Sequence, residues 1–110
     1  MPKIKKKRIE IDFDGNNKLN LTIIKEESKF KRFAINYSVK IEGKWHAVYR
    51  ADNHHGFVHE QRLWIENKPI PLPEYESMDL KIVFDIFFKK IKENHSRFRK
   101  YFEESCKEQK

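Results

Sequence analysis

A chain of 110 residues with a formal charge of +7 has room for one modest hydrophobic core. Its aromatic content of 14%, nine residues of it Phe, excludes an intrinsically disordered chain. No apolar run is long enough to span a membrane, and one cysteine, Cys106, excludes an internal disulfide framework. A cytoplasmic protein with no secretion signal and no membrane contact is therefore expected. The charge is uneven. Lys3, Lys5, Lys6, Lys7 and Arg8 leave only +2 for everything after them. Residues 1–8 thus read as a basic arm leading into the first strand, with Lys5, Lys6, Lys7 and Arg8 as contacts for nucleic acid or another acidic partner.

Hydrophobic period then marks the elements. Ile9, Ile11 and Phe13 alternate with polar residues as a half-buried strand, closed by the turn residues Asp14, Gly15, Asn16 and Asn17. Leu19, Leu21 and Ile23 make a second strand. Phe33, Ile35, Tyr37 and Val39 mark the inner face of a third, with Arg32, Asn36, Ser38 and Lys40 on the other. Two loop lengths compete at Ile41–Lys44. A two-residue Glu42–Gly43 turn sets Val39 opposite His46 and mixes apolar with polar positions. A three-residue turn sets Val39 opposite Trp45 and Tyr37 opposite Ala47, and is preferred because it keeps Trp45, Ala47, Tyr49 and Ala51 on one buried face. A fifth strand is expected from Phe57 to about Glu66, after which Pro69, Pro71 and Pro73 argue against further sheet.

From Ser77 the period becomes helical. Leu80, Phe84, Phe87, Ile91, Phe98 and Phe102 fall on one stripe, with Ser77 as N-cap and a break conceivable at Asn94–Ser96. His95 lies on that stripe and reads as a core histidine, His46 as surface sheet. The predicted architecture is one α+β domain over 1–110: an antiparallel sheet of about five strands, with a long C-terminal helix over 77–107 packed on one face.

Chemistry concentrates between Tyr49 and Glu60, where three of the five histidines stand beside Arg50, Asp52, Asn53 and Gly56. A four-residue loop, 53–56, places Asp52 opposite Phe57 and Arg50 opposite His59 on the face away from the helix, with His54 and His55 at its rim. These groups suit metal-independent RNA cleavage. One imidazole removes the proton of a ribose 2′-hydroxyl, a second protonates the departing 5′-oxygen, and Arg50 stabilises the phosphoryl charge. His59 is the first choice for proton transfer, with His55 or His54 as partner and Asp52 to fix a tautomer. Asn53 joins the basic arm as a nucleic-acid contact. Turn chemistry with exposed histidines is the plain alternative. The spacing of His54, His55 and His59 fits no zinc motif, and neither metal nor cofactor is expected.

The run Trp45–His59, with Arg50, Asp52, Asn53, His55, Gly56 and His59 in register, resembles the central motif of the TumE-type toxins and related prokaryotic families. Ala51 stands where an aromatic is usual, and Glu60 where a basic residue or histidine is frequent. The resemblance implies the toxin of a type II toxin–antitoxin pair, a ribonuclease acting on RNA and held by a helix-turn-helix antitoxin. A non-catalytic nucleic-acid-binding or protein-interaction module is the competing expectation.

Overall fold

The computed structural model describes residues 3–54, 56–65 and 68–108. Six strands form one antiparallel sheet in chain order: β1 (Ile4–Asp12), β2 (Asn17–Glu26), β3 (Lys29–Ile41), β4 (Lys44–Asp52), β5 (His59–Arg62) and β6 (Ile70–Pro71). A short 3-10 turn at Pro73–Tyr75 leads into the helix α1 (Leu80–Glu108), which packs against β3 and β4. Every connection within the sheet is local, so each strand pairs with its chain neighbour and one face is left for a single covering helix. This is the expected α+β arrangement with one strand more.

The core is the interface between that helix and the inner face. Leu19, Leu21 and Ile23 of β2, Phe33, Ile35, Tyr37 and Val39 of β3, and Tyr49 and Ala51 of β4 meet Val83, Phe84, Phe87, Ile91 and Phe98. Packing is largely aromatic: Phe33 lies edge-on to Phe84, and Tyr49 stacks on Phe98 at 5.1 Å between ring centres. The helix runs unbroken for 29 residues, about 43 Å. Asn94, where a break was conceivable, donates from Nδ2 to the Lys90 carbonyl at 2.8 Å, and the helix continues past it. Its cap is Asp79 rather than Ser77: Asp79 Oδ1 accepts from the Lys81 N–H at 2.8 Å, and the Asp79 carbonyl accepts the first helical bond, from Val83. His95 stacks on Phe13 at 4.3 Å, inside the apolar layer. His46, expected on the surface, lies half-buried beside Phe102 at 5.8 Å.

The hairpin between β3 and β4 takes the shorter turn. Ile41 pairs with Lys44, and Glu42 and Gly43 both have positive φ, at 52° and 78°, the backbone of a two-residue hairpin turn. Val39 therefore faces His46, the pairing that mixes apolar and polar positions. One extra residue, Val48, corrects it. The ladder passes from Ser38–Ala47 to Tyr37–Tyr49 across a bulge, and beyond it Ile35 faces Ala51. Tyr49 and Ala51 thus reach the core as expected, while Trp45 and Ala47 are exposed.

Residues 5–8 are not an arm. Ile4–Asp12 is a continuous edge strand whose lysines stand at an unpaired sheet edge, a placement that disfavours edge-to-edge association. The prolines after β5 do not end the sheet either: Ile70–Pro71 pairs with Glu60 and His59 as a two-residue edge strand, where a missing N–H is tolerated.

Two phenols are sealed in this core. Tyr37 and Tyr49 are fully buried, and burial pushes both well above the ordinary phenol range. For Tyr49 the hydrogen bond to Glu60 is the next cause. Because the folded-state values are raised, the associated stability is complete below the unfolded pKa of about 10 and is lost as pH rises above it. Unfolding free energy should therefore fall above about pH 10, by up to roughly 1.4 kcal/mol per pH unit for each such phenol. Denaturant unfolding across alkaline pH should show a shallower decline in Tyr49→Phe than in the wild type. Equal slopes would contradict the assignment.

A candidate cationic groove on the open sheet face

Period two along each strand decides what the uncovered face carries. Opposite Tyr49 and Ala51, β4 presents Arg50 and Asp52; β3 presents Arg32, Ala34 and Asn36, and β2 presents Thr22 and Ile24. Cross-strand pairing aligns them, with Asp52 beside Ala34, Ala34 beside Thr22, and Thr22 beside Arg8. On β1 the inner positions are Ile9 and Ile11, so Lys6 and Arg8 share the open face, whereas Lys5 and Lys7 take the other.

A groove of about 400 Å³ crosses this surface. Lys6, Arg32 and Arg50 supply three permanent cations, Asp52 and His54 close one end, and Ile24, Phe33 and Ala34 belong to its lining. Asp52 is the node. Only 5% exposed, its Oδ1 accepts from His59 Nε2 at 2.8 Å and from the His54 backbone N–H at 3.0 Å. Arg50 holds one guanidinium nitrogen 3.9 Å from Asp52 Oδ2, close enough to share its field but beyond a hydrogen bond. The Arg50 side chain is 46% exposed and borders the groove.

A carboxylate buried this deeply is tolerable only with partners. His59 is that partner, and it is itself 6% exposed. Its Nδ1 stands 3.3 Å from the Phe57 carbonyl oxygen, so an oxygen faces each ring nitrogen. His59 does not line the groove. The pairing is direct, Asp52 to His59 and Arg50 to Gln61, because the connection is six residues, 53–58, rather than four. A shift of two residues keeps the face and changes the partner.

Over residues 4–108 the chain matches the family described as Domain of unknown function (DUF7718). It belongs to that family. No curated protein and no solved structure matches it. The family description names no activity and no toxin.

Within this DUF7718 domain the expected site residues separate. Arg50, Asp52 and His54 border the groove, and Lys6 joins them from the sheet edge. His59 stands behind Asp52. Arg8 shares the face without bordering the groove, while Lys5 and Lys7 lie on the opposite face. His55 lies outside the described residues. Asn53 is committed to the fold: its Oδ1 accepts from the Phe33 N–H at 3.0 Å, and its Nδ2 donates to the Lys31 carbonyl at 3.1 Å. It braces β3 where the β2–β3 register shifts between Ile24 and Lys25.

Arg32 was not among the expected site residues. The signal for it was present, since it alternates with Phe33 on the outer side of β3. Among the described residues, no group of three or more His, Cys, Asp or Glu side chains is placed to hold a metal ion, and no helix is long and apolar enough to cross a membrane.

Buried hydrogen bonds and exposed charges should behave oppositely on substitution. Asp52→Ala and Asn53→Ala each strand buried partners and should lower unfolding free energy by about 1–3 kcal/mol. Arg50→Ala, half-exposed, should stay within about 0.5 kcal/mol of the wild type. Urea unfolding of the three variants checks both halves, and a destabilised Arg50→Ala would show that its charge supports the fold.

Proposed function

We propose that the open sheet face binds single-stranded RNA by its phosphate backbone. The observation that carries this reading is the convergence of Lys6, Arg32 and Arg50, from three different strands, on one groove whose only carboxylate is already paired with His59. Three permanent cations in a concave site outweigh its one carboxylate, so the groove attracts a chain of phosphates. Arginine suits this work because its planar fork donates two parallel hydrogen bonds to phosphate oxygens. Trp45 extends the same face. It is 41% exposed, with one side of its ring covered by the Lys18 ammonium at 4.2 Å, itself paired with Glu10 at 3.0 Å.

A second reading, metal-independent cleavage, draws support from His54. Its exposed side chain borders the groove, and its backbone is held to Asp52. In this reading His54 takes the proton of a ribose 2′-hydroxyl, the 2′-oxygen attacks phosphorus as the bond to the 5′-oxygen breaks, that oxygen leaves with a proton from water, and Arg50 stabilises the phosphoryl oxygens. His59 then acts as a positioning residue that holds Asp52, and through it the His54 backbone, in place.

Binding is tested with a fluorescent single-stranded RNA across a salt series. Affinity should fall steeply with salt, with a log–log slope near 2 for three phosphates and a loss of about 0.7 in Arg32→Ala or Arg50→Ala. A salt-independent affinity, or variants that bind as the wild type does, would contradict backbone recognition. Incubation of the wild type and His54→Ala with the same RNA in EDTA separates the two readings: strand scission lost in the variant establishes cleavage, and intact RNA leaves binding alone.

A further inference from the structure

On the other side of the sheet, where β5 passes under α1, lies a second cavity of about 470 Å³ that the groove does not share. Two rows line it. Glu60, Arg62 and Trp64 follow one another at spacing two, and Lys90, Asn94, Arg97 and Tyr101 follow at helical spacing. The rows run side by side, because Lys90 Nζ meets Glu60 Oε2 at 3.2 Å and Tyr101 meets Trp64 at 5.7 Å between ring centres. One end is therefore polar and one aromatic, with two arginines between them.

The polar end is already neutral. Glu60 is 8% exposed, and its Oε2 accepts from the Tyr49 hydroxyl at 2.5 Å as well as from Lys90. The middle is not neutral. Arg62 Nε is buried without a hydrogen-bond partner among the described residues, and the nearest carboxylate oxygen, Glu60 Oε1, stands 3.9 Å away. Arg97 enters no ion pair among the described residues. Arg62, whose side chain is 40% exposed, shares its one ion-pair partner, Glu60, with Lys90, so among the described residues the two arginines leave this cavity with an excess of positive charge. The adjacent aromatic end, where Trp64 also stacks on Phe98 at 5.2 Å, offers a ring surface one helical turn from Arg97.

We propose that this cavity binds a nucleoside monophosphate, with its phosphate between Arg62 and Arg97 and its base against Trp64 and Tyr101. Among the described residues Glu60 is the one carboxylate lining the cavity, against Lys90, Arg62 and Arg97, and that excess of two positive charges matches a dianionic phosphate better than a single carboxylate. The volume also exceeds what a simple aromatic acid fills. The site is separate from the open-face groove and takes no residue from it.

The test follows Trp64 emission in a Trp45→Phe background during titration with adenosine monophosphate, adenosine and inorganic phosphate. The expected result is saturable quenching by the nucleotide, with adenosine and phosphate each weaker by at least about tenfold, since each makes only half the contacts. Arg97→Gln, a change at an exposed position, should weaken nucleotide binding by about tenfold through loss of one charge-assisted contact. Absence of saturable quenching overturns the proposal, as does phosphate that binds as tightly as the nucleotide. A response lost in Arg50→Ala but retained in Arg97→Gln places the nucleotide in the open-face groove and overturns it as well.

Discussion

The bulge at Val48 is the constraint on which the rest of the sheet depends. A two-residue turn at Glu42–Gly43 sets β4 against β3 in a register that, carried on unchanged, pairs Ile35 with Arg50 and turns Arg50 and Asp52 into the core. One inserted residue reverses the parity. Beyond Val48, Tyr49 and Ala51 face the helix, and Arg50 and Asp52 face outward. A charged pair in the aromatic layer would cost far more than the local loss of ladder hydrogen bonds at a bulge. Val48 is itself fully buried, and its carbonyl accepts from the Leu63 N–H at 3.0 Å, so the irregularity stays paired toward β5.

The same parity divides two consecutive residues of β5 between two chemistries. His59 points to the open face and meets Asp52; Glu60 points to the helix and meets Tyr49 and Lys90. Each is a buried charge-assisted contact, strong in low dielectric and costly if one partner is removed. Together they fix the register of a strand only four residues long, which apolar packing alone would specify weakly. The outer pair leaves Arg50 bordering the groove, and in the inner cluster Glu60 is shared between Lys90 and Arg62, so the second cavity keeps a positive balance among the described residues. Polar groups that hold the strand in place thus also shape the two surfaces for which binding is proposed.

Much of this was legible in the sequence, and the errors share one cause. Alternation in β2 and β3 and the helical stripe from Leu80 to Phe102 identified the core faces, because a buried face imposes its period on the residues that form it. Pairing partners were less accessible. Before the bulge the expected register of β4 on β3 differs from the observed one by one residue, which put Trp45 and Ala47 on the wrong face; beyond it, and against β5, the difference is two, so Arg50, Asp52 and His59 were assigned to the right face with the wrong neighbours. A shift by two leaves the hydrophobic pattern unchanged, and pattern alone cannot detect it. Bulges, the six-residue connection at 53–58 and the two-residue strand at Ile70–Pro71 leave no periodic trace. Asn53 reads as a surface contact in the chain and proves to be a brace for β3, since its partners lie some twenty residues away. The Glu60–Tyr49–Lys90 cluster was hidden for the same reason.

The most direct test of the central claim, that the open face is the binding surface, is amide chemical-shift mapping of the isotope-labelled protein with a short single-stranded RNA. The account predicts shifts confined to the strands around Lys6, Arg32, Arg50 and His54, with the outer residues of α1 unmoved. Shifts concentrated on α1, or none at an RNA concentration that saturates a conventional binding assay, would contradict it.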